Sequence, residues 1–539
     1  MAENKLVRGT MMLTGATLFS RVLGLLYIFP FTAMVGQQGN ALYSYGYLPY
    51  TLLLSLSTLG IPMAVSKFVA KYHAMGDYKT GHRLFRSSLL VMAITGFLSF
   101  LLLFFLAPWI AEGVLPNNDP TGNRTEDVVF TIRMVSIALI IIPIMGVIRG
   151  YFQGFQSMGP TAISQVVEQI FRVSFILIIT FLILQVGDGS IGTAVGWATF
   201  GAFIGGLGSF LVLFYFWQKR KAGIYAQISE SNTGAEELPL RGMYKELIRY
   251  ALPLSFVGLA IPLYQLIDMA TFSSAMTNGF GVSDGEAETA FGIFVRTSHS
   301  VILIPVAVAT AMSVNIIPAI TRSNTKGAID EMKSYITKSL QLILFFTVPA
   351  MVGLILLSEP AFAALFGMED YVLGGHILGM YAPAAVLFSL FAVTAAMLQG
   401  MNRQKQAITG LLIGLVLKLS LNYILISLFG PGGAVFATLI GYTSAIVYNI
   451  IAIIRHTGYS IIPLGKPALL TVGISFVMGL SVWIVREGGL VLFDATTQLG
   501  LTSVLFFGVL TGGLVFMILT IRLGLAGSVL GDRFKMLRN

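Results

Sequence analysis

Apolar residues run along this chain in stretches of about 20 to 30, separated by short polar segments, with no two-residue alternation inside them. An α-helix needs about 20 such residues to cross ~30 Å of hydrocarbon, whereas a barrel strand alternates over about 10. The pattern therefore predicts an all-α integral membrane protein with about fourteen transmembrane helices. The expected spans are 10–35, 44–71, 85–111, 128–153, 160–186, 190–218, 244–276, 286–320, 330–357, 374–400, 406–429, 432–455, 466–486 and 498–522. The first begins after Lys5 and Arg8 and is too long for the apolar core of a signal peptide, so it reads as a retained helix. Composition agrees: 56% of residues are hydrophobic, 11% are charged and the mean hydropathy is +0.83, more apolar area than a soluble core could hide.

Polar loops alternate in sign. One set carries Lys5, Arg8, Lys67, Lys71, Lys79, Arg83, Arg86, Lys219, Arg220, Lys221, Arg322, Lys326, Arg403, Lys405, Arg455, Lys466, Arg533, Lys535 and Arg538; the other carries Glu112, Asp119, Glu126, Asp127, Asp188, Asp284, Glu359, Glu369, Asp370 and Asp494. The positive-inside rule puts the first set, and both termini, in the cytoplasm of a bacterial plasma membrane. The net charge of +9 then expresses this bias and attraction to anionic membrane lipid, and nucleic acid is not an expected partner. With no cysteine, five scattered histidines and no Walker sequence, the chain reads as a non-enzyme that needs no cofactor, metal or ATP.

The chain also repeats itself. Phe152-Gln153-Gly154 returns 246 residues later as Leu398-Gln399-Gly400, and Arg172-Val173-Ser174 as Lys418-Leu419-Ser420. Ile61-Pro62-Met63-Ala64-Val65 matches Ile304-Pro305-Val306-Ala307-Val308 at an offset of 243. These offsets predict two parallel six-helix repeats, an N-lobe (1–218) and a C-lobe (243–456), joined by a polar cytoplasmic linker (219–242) and followed by two further helices and a tail (457–539). Such internal duplication is the mark of secondary transporters with a site between the repeats. The last two spans, nearly free of charge, suit accessory packing or a lipid-facing groove.

Ions inside spans cost at least ~2.5–3.5 kcal/mol each, so they carry the functional signal. Arg21 lies deep in the first span, beside Thr14, Thr17 and Ser20. In the fifth, Ser164, Gln165, Glu168 and Arg172 share a stripe, with Glu168 and Arg172 spaced as an i,i+4 pair. Arg149 reads as a surface anchor. The seventh span holds Asp268, the eighth Arg296 and His299, and the eleventh Lys418 with Asn422. Lys67 follows the first Ile-Pro motif. Plainer readings stand beside these: Arg21 as packing glue, Glu168–Arg172 as a self-neutralising lock, Asp268 as an ion-pair partner of Lys418 or Arg296, and Lys67 as a rim charge. Cations outnumber acids, and arginine forks hold phosphate oxygens while keeping their charge when desolvated. An anionic substrate fits; an organic cation does not.

Ser20-Arg21-Val22-Leu23-Gly24, Arg8-Gly9-Thr10, Ala64-Val65-Ser66-Lys67-Phe68-Val69, Arg149-Gly150-Tyr151-Phe152-Gln153-Gly154, Pro160-Thr161-Ala162, Ser164-Gln165-Val166-Val167-Glu168-Gln169 and Ile261-Pro262-Leu263-Tyr264 with Asp268 resemble MurJ-type lipid II flippases of the multidrug/oligosaccharidyl-lipid/polysaccharide exporter superfamily, in the Firmicute branch of YtgP and SpoVB. The resemblance implies fourteen helices in two lobes around a cationic cavity. It also implies transfer of undecaprenyl-diphosphate-linked muropeptide (lipid II) to the outer leaflet by alternating access, for peptidoglycan synthesis and cell shape.

By that resemblance Arg21 and Arg296 are diphosphate ligands. Tyr27 stands where Gram-negative members carry a further arginine, and Leu52 to Leu59 offer no counterpart to their second-helix arginine, so Lys67 or Arg172 takes that part. Some members bind sodium among the seventh, eleventh and twelfth helices, and Lys418 beside Asp268 stands in for that ion. Coupling to membrane potential, proton or sodium, and contact with cell-wall synthesis proteins, are further implications. Two other readings stay open: a flippase for another polyprenyl-diphosphate glycan, such as a spore-cortex or capsule precursor, and a non-transporting scaffold of the wall machinery.

Overall fold

The computed structural model describes residues 2–58, 60–115, 120–230, 242–245 and 255–530, and the side chains of the same residues except 2–10, 308, 312–315 and 530. The linker's centre (231–241), the start of the expected seventh span (246–254), Asp119, Arg533, Lys535, Arg538 and the side chains of Lys5, Arg8, Thr10 and Val308 lie outside the described residues.

Among the described residues every regular element is helical. The first half comprises α1 (Ala2–Leu26), α2 (Ile28–Thr58), α3 (Ile61–Ala74), α4 (Tyr78–Val114), α5 (Thr125–Ser136), α6 (Ile142–Gly154), α7 (Met158–Phe181), α8 (Ile191–Ser229) and α9 (Ala260–Ser274). Then follow α10 (Asp284–Gly292), α11 (His299–Thr325), α12 (Ile329–Leu356), α13 (Ser358–Phe366), α14 (Tyr371–Tyr381), α15 (Ala384–Gly400), α16 (Gln404–Phe429), α17 (Pro431–Thr457), α18 (Ile462–Leu492), α19 (Gln498–Arg522) and α20 (Leu525–Leu530). A π-helical turn, Ile293–Ser298, joins α10 to α11.

Twelve helical stretches among the described residues are long and apolar enough to cross a bilayer, which makes this a multi-pass membrane protein. The first, Met11–Ala74, is 64 residues long and takes in both of the first two expected spans. Glycine interrupts it twice. Gly36 (φ 66°) kinks α2, and Gly60 (φ 69°) ends it, with Pro62 opening α3 at a position where no intrahelical N–H is needed. Polar side chains set other starts: Asp77 accepts from Thr80 N at 3.0 Å to cap α4, and Ser190 accepts from Thr193 N at 3.1 Å to cap α8.

The chain packs as two compact units, Met1–Ala270 and Thr271–Asn539. The division falls inside the expected seventh span, so residues 243–270 of the expected C-lobe belong to the first unit; the matching helix ends lie one in each unit. α6 and α15 both end in a left-handed residue, Gln156 (φ 56°) and Asn402 (φ 58°), 246 positions apart. The capping hydrogen bonds coincide too: Ser157 N to Phe152 O at 3.0 Å in one copy, Arg403 N to Leu398 O at 2.8 Å in the other.

The 243-residue offset does not survive. α3 and α11 end alike at Gly76 (φ 75°) and Gly327 (φ 67°), with Asp77 N bonded to Tyr72 O and Ala328 N to Ser323 O, both at 2.9 Å; these pairs lie 251 residues apart. Ile304-Pro305 therefore sits eight residues, about two helical turns, before the place where the Ile61-Pro62 segment has its structural counterpart.

Glycine closes the same helix pair in both units. A Cβ on Gly154 would sit 2.7 Å from Val69 and 3.0 Å from the Ser66 carbonyl, and one on Gly400 would sit 2.9 Å from Ile320 and 3.0 Å from the Ile317 carbonyl. In the first unit this contact is backed by buried Val65, Phe68, Phe85, Tyr151 and Met243, and the Tyr244 hydroxyl reaches Ser87 at 2.8 Å. In the second, α18 and α19 pack on α12 through Phe345, Leu357, Ile474 and Met478, and the seam holds an apolar cavity of about 490 Å³.

Candidate anion-binding site

The polar stripe of α7 organises the first unit's site, with a partner other than the one its own helix offers. Arg149, five residues before the end of α6, donates from Nη2 to Glu168 Oε2 at 2.6 Å and to Ser209 Oγ at 2.7 Å, and from Nε to Ser164 Oγ at 2.9 Å. It is no surface anchor: its side chain is 16% exposed and that of Glu168 is 21% exposed. The expected Glu168–Arg172 pair is absent from the ion pairs of the described residues, because Arg149 approaches across the helix interface with three acceptors arranged around it. Three acceptors fix the guanidinium plane and offset much of its desolvation.

Arg149 lines a cavity of about 450 Å³, together with Ser55, Thr58, Gln153, Thr161 and Gln165. Gln165 Oε1 accepts from Thr17 Oγ1 of α1 at 3.3 Å, and Gly24 of α1 abuts Gln169 Nε2, where a Cβ would sit 3.0 Å away. Thr17, Arg21 and Gly24 share one helical face, so Arg21 lies along the α1–α7 seam; its side chain is exposed on this unit.

Arg172, one turn after Glu168, is held by tyrosines. Its guanidinium lies 5.1 Å from the Tyr47 ring centre, within electrostatic reach of Tyr27, Tyr43 and Tyr50, and its buried Nε has no hydrogen-bond partner. Aromatic faces attract a desolvated cation without neutralising it. Tyr27 thus has a part in the site, against the ring set that carries Arg172. Lys67 is exposed on α3, its ammonium 6.0 Å from the Phe68 ring centre.

The remaining predicted residues lie on other elements. Asp268, on α9 in the first unit, is 2% exposed. In the second unit Arg296 is half-buried in the π-helical turn, a feature that often marks functional positions. Lys418 is fully buried and donates from Nζ to Thr438 Oγ1 at 2.6 Å; one turn on, Asn422 Nδ2 donates to Thr271 Oγ1 at 2.8 Å. His299 Nδ1 meets the Tyr381 hydroxyl at 3.0 Å.

Two further acids are buried: Asp284, expected in an outer loop, and Glu288, inside the expected eighth span but not singled out there. Asp284 is 4% exposed and Glu288 is 0% exposed. The Ser283–Glu286 capping box accounts for one acid of Asp284-Gly-Glu-Ala-Glu288. Glu288 already fell with Arg296 inside the expected span 286–320, and an acid within a span was the available signal.

Twelve stretches long and apolar enough to cross a membrane, an internal repeat and a cavity lined by Arg149 with Ser, Thr and Gln side chains fit a membrane transporter. The family profile described as "Polysaccharide biosynthesis protein" matches residues 6–324, and the profile described as "MatE" matches residues 253–424. The chain is 44% identical to the lipid II flippase MurJ of Bacillus subtilis (strain 168) over 98% of both chains. It is 26% identical to stage V sporulation protein B of the same organism, over 79% of this chain and 78% of that one. A solved structure of lipid II flippase MurJ in an inward closed conformation superposes with a TM-score of 0.67 at 17% identity, covering 95% of this chain and 98% of that one, a likeness of fold. The chain belongs to the MurJ family of membrane flippases within the polysaccharide-biosynthesis and MatE-like transporters.

Proposed function

We propose that this protein carries lipid II, the undecaprenyl-diphosphate-linked muropeptide, from the inner to the outer leaflet by alternating access of an N-lobe (1–218) and a C-lobe (243–456) joined by the 219–242 linker, with both termini cytoplasmic. Full-length identity to a lipid II flippase supports the substrate. The single structural observation that carries the reading is the set of cations along α7: Arg149, which lines a cavity with hydroxyl and amide side chains in its wall, with Arg21 and Arg172 beside the same helix. Such a wall suits a diphosphate and its sugars: guanidinium groups take the charge, and Ser, Thr and Gln side chains exchange hydrogen bonds with hydroxyls.

Arg21 and Arg296 are proposed as diphosphate ligands. Arg172 and Lys67 supply additional positive potential, and Glu168 holds Arg149 in place between substrate arrivals. Asp268 and Lys418 are proposed as the coupling or gating pair, responsive to proton, sodium or membrane potential. The relationship to a sporulation protein supports a second reading, a spore-wall precursor on the same diphosphate handle. Cells depleted of their own lipid II flippase discriminate the two. Expression of this chain restores growth and surface-exposed lipid II on the first reading; on the second it leaves lipid II inside while the protein is present at normal level in the membrane.

A further inference from the structure

The basic and aromatic end of α8 is explained by neither the repeat nor the proposed substrate path. It walls a cavity of about 400 Å³ between α4 and α8, backed by Ile148 of α6. The lining is graded along the helix axes. His82 and Tyr225 lie nearest the helix ends at Tyr78 and Ser229; Phe85, Arg86 and Trp217 follow, with the Phe85 and Trp217 rings 5.5 Å apart; Leu89, Leu213 and Phe214 lie deeper in the spans.

His82 is 8% exposed, nearly parallel to Trp217 at 6.3 Å and edge-on to Tyr225 at 5.7 Å. Its Nδ1 meets the Tyr151 hydroxyl at 3.1 Å, whereas Nε2, on the other side of Cε1, is buried without a partner. Arg86 is exposed and makes no ion pair among the described residues. Lys221, also exposed, lies one turn after Trp217 and one turn before Tyr225 on the same face of α8.

We propose that this cavity binds one anionic glycerophospholipid, separately from the transported substrate. The phosphate sits between Arg86 and Lys221, at the end of the cavity that the His82 ring lines. The glycerol backbone lies against Phe85 and Trp217, at the depth where aromatic side chains favour the interface, and the first methylenes reach Leu89, Leu213 and Phe214. A soluble phosphate would leave the apolar end unfilled; a zwitterionic lipid would bring its own cation up to two others.

Trp217 reports occupancy directly. The protein has four tryptophans, so Trp109, Trp197 and Trp483 are changed to Phe, and the full chain is reconstituted in phosphatidylcholine vesicles doped with phosphatidylglycerol carrying brominated tails. Two interfacial cations at about five-fold each predict a preference of roughly thirty-fold over equally brominated phosphatidylcholine, seen as quenching that saturates at low mole fraction. Arg86→Gln or Lys221→Gln should each remove about five-fold of it. His82→Phe, which keeps the stacked ring, should weaken it less. Superimposable curves for the two brominated lipids overturn the proposal even if the charge variants fail to fold, and so does a preference that the Arg86→Gln/Lys221→Gln double variant retains. Lipid proximity is read here, not transport, so either result leaves the flippase reading untouched.

Discussion

The α6–α7 pair of the first unit and the α15–α16 pair of the second are copies with the same helix ends, the same closing glycine and different chemistry. At the positions of Arg149, Ser164 and Glu168, the 246-residue offset places Ala395, Gly410 and Gly414. The second unit fills the space with backbone approach: a Cβ on Gly410 would sit 2.5 Å from Asn449 Oδ1 and 3.1 Å from the Ala445 carbonyl. The one cation kept in both, Arg172 and Lys418, has also diverged. Arg172 faces tyrosine rings with its Nε unbonded; Lys418 is sealed against Thr438. Between these helix pairs duplication preserved the geometry that packs helices, and the Arg149–Glu168 ion pair with its serine partners is present in one copy.

The largest effect should follow from Arg149. Arg149→Ala leaves Glu168 in a site built for an ion pair, at a cost of about 3–5 kcal/mol in the fully buried limit. Lipid II flipping should be lost and the purified protein should melt at a lower temperature; Arg149→Gln with Glu168→Gln should recover most of the melting temperature and little of the flipping. Recovery of both would make the cluster packing only.

The closing glycines test the part of the comparison where the two units agree. Gly154→Ala and Gly400→Ala both push a methyl against a carbonyl and a β-branched side chain, so each should destabilise by about 1–3 kcal/mol, and by similar amounts, in a denaturation series. A marked difference would mean that the helix pairs are not equivalent in packing.

Run length revealed the helices, and a three-residue match at 246 revealed the repeat, because both reflect burial patterns that survive divergence. The partner of Glu168 was hidden because i,i+4 spacing speaks only of residues on one helix, and Arg149 comes from another. The 243-residue offset misled because Ile-Pro occurs twice in α11, at Ile304-Pro305 and Ile317-Pro318, and the extra length lies in a helix continuous through a π-helical turn. The tyrosines around Arg172 are scattered between Tyr27 and Tyr50, on a segment that only the kink at Gly36 folds back.

A smaller effect concerns coupling. If Asp268 and Lys418 serve as a pair during the cycle, Lys418→Ala should make flipping more sensitive to pH or sodium, since a proton or a sodium ion then neutralises the aspartate. Asp268→Asn with Lys418→Gln should restore more activity than either single change, by about ten-fold for a coupling of ~1.4 kcal/mol. A double variant no better than the worse single one separates the two residues.

Binding of undecaprenyl diphosphate to the purified protein bears most directly on the proposal that the cations along α7 hold the anion. Arg21→Gln, Arg149→Gln and Arg172→Gln should each weaken binding, by about ten-fold or more where a charge-assisted phosphate contact of ~1.5–3 kcal/mol is removed, while Lys418→Gln, sealed from any ligand, should change it less than about three-fold. Equal losses from Lys418→Gln and the three arginine variants, each verified as folded, would contradict the account.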